Sequence, residues 1–64
     1  DEALSAALSH AGLSETDISR LKIELDRDDG RTKYELEWNV DRMEYSYEVD
    51  AATGEILSYE KELD

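Results

Sequence analysis

The fold of this chain is decided by residues 45–57, which run Tyr45-Ser46-Tyr47-Glu48-Val49-Asp50-Ala51-Ala52-Thr53-Gly54-Glu55-Ile56-Leu57. Apolar and polar residues alternate from Met43 to Val49, which predicts a strand with one buried face. The next five residues predict a tight reversal, because Asp50 can bond the backbone two residues on and Gly54 adopts a positive φ without steric cost. A returning strand is expected at about 55–62. These residues specify a fold and indicate no reaction.

Two further strands are predicted before this stretch, at about 20–27 and 31–40. The Asp29-Gly30 pair between them is a strong signal for a two-residue hairpin turn. Asp41-Arg42 provides a weaker second turn. Closing both turns aligns the apolar residues of three strands on one face. The expected pairs are Leu25 with Tyr34, Ile23 with Leu36, Leu21 with Trp38, Val40 with Met43, Trp38 with Tyr45, Leu36 with Tyr47 and Tyr34 with Val49.

The fourth strand carries an irregularity. Ile56 and Leu57 cannot both face the core of a regular strand, so a bulge or a half-exposed residue is expected there. With Leu57 inward, Tyr59 and Leu63 follow it on the apolar face.

A helix is predicted at about 1–11, with Leu4, Ala7, Leu8 and Ala11 forming one apolar stripe. Gly12 is placed to cap it in the left-handed conformation. A single helical turn at 14–18 follows, where Ser14 and Asp17 resemble a capping box. The chain is therefore predicted to be one α+β domain spanning 1–64, with an N-terminal helix packed on one face of a four-stranded antiparallel β-meander.

The charge balance restricts the partners. Seven Lys and Arg residues stand against 18 Asp and Glu, giving a net charge of −11. Long-range repulsion disfavours nucleic acids and anionic membranes as partners, and no stretch is apolar enough to span a bilayer. The chain has no cysteine, so disulfides and thiolate metal sites are excluded. It opens with Asp1 rather than Met, which indicates a trimmed or processed form whose address or anchor lies elsewhere.

Three parts of the sequence together resemble the PepSY domain. They are the Ala-rich helix ending His10-Ala11-Gly12-Leu13-Ser14, the hairpin leading into Tyr34-Glu35-Leu36-Glu37-Trp38, and the stretch 45–57. PepSY domains occur in propeptides of thermolysin-type metalloproteases, in a spore-germination protein and in small secreted or anchored bacterial proteins. The resemblance implies a binding module outside the cytoplasm, in the extracellular space or the cell envelope, with proposed inhibition or regulation of proteases. It implies no catalytic residues.

The polar face of the sheet offers one candidate cation cluster. In the predicted register Glu24, Glu35 and Glu48 lie side by side across three strands, and carboxylates can hold a hard cation such as calcium. The favoured interpretation is a solvated face partly neutralised by Lys22, Lys33 and Arg42, because calcium sites usually draw loop oxygens from several directions. No cofactor and no metal are expected.

The histidine and the aromatic residues have structural interpretations first. His10 stands alone, so a surface position near the helix C-terminus is favoured over a catalytic or ligand role. The aromatic residues share the apolar face and are predicted to be core, with hydroxyls at the rim. If the helix leaves part of that face uncovered, the exposed aromatic margin is the best protein-binding patch. These residues are Tyr34, Trp38, Tyr45, Tyr47 and Tyr59.

Two functions follow as hypotheses. The first is a non-enzymatic, extracytoplasmic module that binds a protein partner, such as a protease or an envelope protein, through its acidic face or a free sheet edge. The alternative is a structural spacer or repeat domain with no ligand of its own. The sequence leaves the oligomeric state open between a monomer and a weak dimer formed through a sheet edge.

Overall fold

In a computed structural model, residues 2–63 are described and form one helix and four strands. Asp1, which the sequence predicts as the first helical residue, lies outside the described residues. The predicted α+β class is confirmed. The elements are helix α1 (Glu2–Ala11), a 3-10 turn (Glu15–Asp17), and strands β1 (Ser19–Asp28), β2 (Arg31–Val40), β3 (Met43–Asp50) and β4 (Ile56–Leu63).

The four strands form one antiparallel meander in the order β1-β2-β3-β4. The alternation of apolar and polar residues fixes the central register, because a one-residue slip would turn each apolar side chain to solvent. All four pairs predicted between β2 and β3 are confirmed. They are Val40–Met43, Trp38–Tyr45, Leu36–Tyr47 and Tyr34–Val49.

The outer strand β1 departs from the prediction at its start. Leu25 lies opposite Tyr34 and Ile23 opposite Leu36, as predicted, but the pairing of Leu21 with Trp38 is wrong. The register shifts between Ser19 and Lys22, so two residues of β1 occupy the space of one on β2. Arg20 in this bulge has a φ of 56°, a left-handed conformation that bends the strand.

Strand β4 contains the predicted bulge, but with the opposite residue inward. Val49 pairs with Ile56 and Glu48 with Ser58, which leaves Leu57 as the extra residue. Ile56 packs against the core. The prediction that Leu57 faces inward is wrong, because the Glu55 carbonyl accepts a hydrogen bond from the Asp50 N–H at 2.9 Å and so sets Ile56 directly opposite Val49.

The core lies between α1 and the two central strands. One helix with its side chains is about 10–12 Å wide, whereas four strands spaced about 4.8 Å apart are wider than that. The helix therefore covers β2 and β3 and leaves the flanks of β1 and β4 open. The buried residues are Ala3, Leu4, Ala7, Leu8, Leu36, Trp38, Tyr47 and Val49.

The predicted glycine cap of α1 is confirmed. Gly12 has a φ of 76°, in the left-handed region. The Leu13 N–H donates to the Leu8 carbonyl at 2.9 Å and the Gly12 N–H to the Ser9 carbonyl at 3.2 Å. This pair of bonds is the Schellman motif, which satisfies two carbonyls at the helix end. It also turns Leu13 back against the core.

The reversal between β3 and β4 is organised by one carboxylate. Asp50 Oδ1 accepts hydrogen bonds from the N–H groups of Ala52 at 2.7 Å and Thr53 at 3.1 Å. The Gly54 N–H donates to the Asp50 carbonyl at 2.8 Å, and Gly54 has a φ of 78°. The backbone hydrogen bonds lower the pKa of Asp50. The predicted tight turn is therefore confirmed, with Asp50 as its anchor.

Candidate functional site

A ladder of aromatic rings crosses the sheet beneath and beside the helix. Trp38 on β2 stacks against Tyr45 and Tyr47 of β3, with ring centroids 5.6 and 5.2 Å apart. Tyr47 stacks in turn against Tyr59 of β4 at 5.5 Å. Offset stacking at these distances stabilises the pairs beyond their buried area. The ladder begins in the buried core and ends at an exposed ring on the outer strand, since Tyr59 is 56% exposed.

His10 joins the helix to this ladder. Its Nδ1 lies 3.0 Å from the Tyr47 hydroxyl oxygen, and its ring centroid lies 4.7 Å from that of Tyr59. The side chain is exposed, as predicted, but it has specific partners that the sequence interpretation missed. A signal was present, because position 10 follows Ala3 and Ala7 on the helical face that meets the sheet.

The Tyr47 hydroxyl is the polar end of a buried ring. Burial raises the pKa of Tyr47 above its ordinary value, and the neighbouring Tyr59 and Tyr45 add to this rise. The phenol is therefore neutral near pH 7 and can donate its proton to an unprotonated His10 Nδ1. This contact can position the helix end against β3.

The flank of β4 exposes apolar surface next to the ladder. Tyr59 is 56% and Leu63 76% exposed. The opposite flank exposes Leu21 (43%) and Leu25 (55%) on β1, two residues that the sequence predicts on the apolar face of the sheet. Leu25 lies on the predicted face, opposite Tyr34, and is exposed because the helix covers the central strands and leaves the flank of β1 open. Leu21 lies in the bulge of β1, where the predicted pairing is wrong. Large exposed apolar side chains beside a packed core are typical of contact surfaces.

The face of the sheet away from the helix is acidic. The candidate cluster lies in one row, with Glu24 opposite Glu35 and Glu35 opposite Glu48. Two of the three carboxylates have lysine partners: Lys22 Nζ lies 3.5 Å from Glu24 and Lys33 Nζ 3.3 Å from Glu48. The hydrogen bond to Glu48 raises the pKa of Lys33.

This row lacks the geometry of a metal centre. Within residues 2–63, no group of three or more His, Cys, Asp or Glu side chains is arranged to hold a metal ion. The row is a line of carboxylates on an open sheet, interleaved with lysines, rather than a set of oxygens converging on one point.

A shallow depression lies on the same acidic face, over β2, β3 and β4. It has a volume of about 320 Å³. Two small residues, Ser46 and Ser58, line it together with the carboxylates of Glu35, Glu37 and Glu60. Small polar side chains between long acidic ones leave room for an incoming cationic side chain. Electrostatically, this surface attracts positively charged groups.

The chain belongs to the PepSY family, the peptidase propeptide and YPEB domain, which matches residues 1–60. The resemblance found in the sequence is thereby confirmed. The chain is also 39% identical over 62 residues to the uncharacterized protein Spy1430 of Streptococcus pyogenes serotype M6, across 97% of this chain and 48% of that protein. It thus spans about half the length of this curated relative. No solved structure matches it.

Membership of this family sets the general class of function. PepSY domains are protease-propeptide-like or regulatory modules, are generally non-catalytic, and occur in extracellular or envelope proteins. In the described part of the chain, no helix is long and apolar enough to cross a membrane.

Proposed function

We propose that this chain is a non-enzymatic, extracytoplasmic binding module that regulates a protein partner, either a protease or another envelope protein. The family supplies the general class. Nothing in the aromatic ladder or the acidic row resembles a nucleophile with its base, so the function lies in contact rather than in chemistry.

The observation that carries the proposal is the uncovered flank of β4. Tyr59 and Leu63 expose apolar surface at the border of a face lined by glutamates. An acidic surface alone does not indicate binding, because its charge can serve only to keep the domain soluble. An aromatic side chain and a leucine at its border add the burial energy on which protein interfaces depend, about 25 cal/mol for each Å² of apolar surface removed from water.

The electrostatics favour a basic partner. With a net charge of −11 on 64 residues, the domain attracts positively charged surfaces over about one Debye length, roughly 10 Å at 0.1 M salt. Complementary charge raises the association rate more than the final affinity. The association rate with the partner is therefore expected to fall as salt is added.

The test is a pull-down and an inhibition assay with secreted thermolysin-type metalloproteases, using the immobilised domain. Tyr59→Ala removes the exposed aromatic ring, and Leu25→Ala is the matched control, since it removes a similarly exposed side chain from the opposite flank. Binding that is lost with the first change and kept with the second supports the proposal. Absence of both capture and inhibition across the panel opposes it.

A second candidate function is a structural spacer or one repeat of a longer protein. The observation in its favour is that the chain matches 48% of its curated relative and so leaves the rest of that protein for further segments. Tandem copies of the 45–57 pattern in the full-length gene, together with no binding in the assay above, would favour this reading.

A further inference from the structure

We propose that the outer edge of β4 from Ser58 to Leu63, here called the β4 edge, takes up an extended peptide segment as a fifth strand. The segment would alternate apolar residues with basic ones. This inference rests on the proposed binding function and names the place of contact and the chemistry of the partner.

The β4 edge is free and regular. Strand β4 is last in the sheet order, so its outer side has no partner strand among the described residues. Beyond the bulge at Leu57, pairing with β3 is continuous from Ser58 to Leu63. Alternate residues of such a stretch direct N–H and C=O groups outward, which is the template for strand addition.

The helix side of the β4 edge carries two large apolar side chains. Tyr59 lies opposite Tyr47 and Leu63 opposite Met43, so both project to the side of the sheet that carries α1. Lys61 stands between them. An added strand would place alternate side chains beside Tyr59 and Leu63, where apolar residues would bury surface that water now contacts.

The other side of the β4 edge is acidic and uncompensated. Glu60 and Glu62 project there, and Glu62 lies directly opposite Glu44 of β3. Among residues 2–63, no ion pair joins these three carboxylates to a cation. Like charges directly opposite each other destabilise a sheet. Basic side chains on an added strand would relieve this repulsion.

The other edge of the sheet is protected against the same partner. Strand β1 begins with a bulge and a left-handed residue at Arg20. It also carries three cations, Arg20, Lys22 and Arg27, whereas the β4 edge carries one, Lys61. Bulges and cations are devices that prevent an edge strand from pairing. A basic segment is therefore expected to pair with the β4 edge rather than with β1.

A second copy of this chain is a poorer occupant. Two β4 edges that pair antiparallel about a twofold axis would place Glu60 and Glu62 of both copies close together on one side of the sheet. Each copy also carries a net charge of −11. Charge repulsion therefore disfavours a second copy, and a basic segment of another protein fits the β4 edge better.

The first test is an NMR titration with two synthetic peptides of about eight residues, one alternating valine with arginine and the other valine with glutamate. We expect the arginine peptide to give saturable amide shifts confined to the β4 edge and its neighbour Glu44. The glutamate peptide should give none. Shifts centred on β1, or shifts spread evenly over the acidic residues, would overturn the inference.

N-methylation separates strand addition from simple charge attraction. All valines of an extended peptide direct their N–H groups to one edge, and all arginines to the other. One peptide methylated at each valine nitrogen and one methylated at each arginine nitrogen therefore keep the same charge but block opposite edges. Strand addition predicts that only one of them binds. Equal binding by both, or binding by neither, contradicts it.

Charge reversal supplies the matched variants. Glu60→Lys with Glu62→Lys should weaken binding of the arginine peptide by about tenfold, equivalent to about 1.4 kcal/mol, and should allow saturable binding of the glutamate peptide. Glu15→Lys with Glu24→Lys changes the net charge equally and should leave both results as in the wild type. Equal losses in the two double variants would overturn the proposal.

The two proposals fail in distinguishable ways. If a protease binds the wild type and the Glu60→Lys, Glu62→Lys variant equally well, the β4 edge is not the contact, although the binding function stands. If the arginine peptide binds as described but no protease does, the β4 edge is confirmed and protease regulation is contradicted.

Discussion

His10 Nδ1 lies 3.0 Å from the hydroxyl oxygen of Tyr47, across 37 positions of sequence. This contact ties the C-terminal turn of α1 to the centre of the sheet. Its imidazole ring also packs on Tyr59, the exposed end of the aromatic ladder. The same histidine therefore connects the buried core with the flank that we propose as the contact surface.

This contact predicts energetic coupling between the two residues. A hydrogen bond of this type contributes about 0.5–1.5 kcal/mol. In a double-mutant cycle with His10→Ala and Tyr47→Phe, we expect a coupling energy in that range, measured by urea denaturation at pH 7. Each single change should lower the melting temperature by several degrees, at about 4–8 °C per kcal/mol for a domain of this size. Additive effects would contradict the contact.

Two leucines that lie near each other on adjacent strands should differ sharply in their effect on stability. Leu36 is 1% exposed beneath the helix, whereas Leu25 is 55% exposed on the open flank. Leu36→Ala should cost about 2–5 kcal/mol of unfolding free energy, and Leu25→Ala no more than about 0.5 kcal/mol. The measurement is chemical denaturation of both variants. A large loss for Leu25→Ala would show that the β1 flank is covered.

The turn at Asp50 predicts a specific pH dependence. Hydrogen bonds from the Ala52 and Thr53 N–H groups lower its pKa in the folded state from an ordinary value of 3.8. The ionised carboxylate therefore stabilises the fold above that ordinary value, and the stabilisation is lost as the pH falls through the lower, folded-state value. We expect Asp50→Asn to melt below the wild type at pH 7, with a difference that shrinks in acid.

The control for this prediction is Glu62→Gln. It removes the same charge from an exposed side chain that lies opposite Glu44 and has no ion pair among residues 2–63, so it should leave stability at pH 7 unchanged or slightly higher. Melting temperatures of the three proteins between about pH 2 and pH 7 make the comparison. A difference for Asp50→Asn that stays constant across this range would argue against a role for the ionised carboxylate.

Calcium is expected to bind the acidic face diffusely. Calcium takes about 6–8 oxygen ligands, and two of the three carboxylates in the row Glu24, Glu35 and Glu48 have lysine neighbours. An NMR titration with calcium chloride should therefore give small shifts that do not saturate and that sodium chloride at equal ionic strength reproduces. Saturable shifts clustered on these three residues would establish a cation site instead.

The central part of the fold could be predicted from the sequence because the alternation of the strands and the turn residues indicate the same structure. Alternation fixed the faces of β2 and β3, and Asp50 with Gly54 fixed the turn after them. The outer strands were less predictable. Nothing local indicates that Arg20 adopts a left-handed conformation, and only the backbone bond from Asp50 to Glu55 decides that Ile56 rather than Leu57 faces the core.

The proposed contact surface was harder to predict than the fold, for a physical reason. Its exposure depends on how much of the four-stranded sheet one helix is wide enough to cover. This is a property of the tertiary structure, and no single residue encodes it. The sequence indicates that an uncovered aromatic margin would bind a partner, but not which margin is uncovered. The position of His10 against Tyr59 likewise depends on where the helix lies across the sheet.

The most direct test of protease regulation is a titration of a secreted thermolysin-type metalloprotease with this domain, followed by calorimetry and by residual protease activity. We expect saturable binding with a dissociation constant below about 100 μM, and we expect this binding to be weaker at high salt and weaker again with Tyr59→Ala. No heat and no loss of activity, with a domain that is folded in the same buffer, would contradict it.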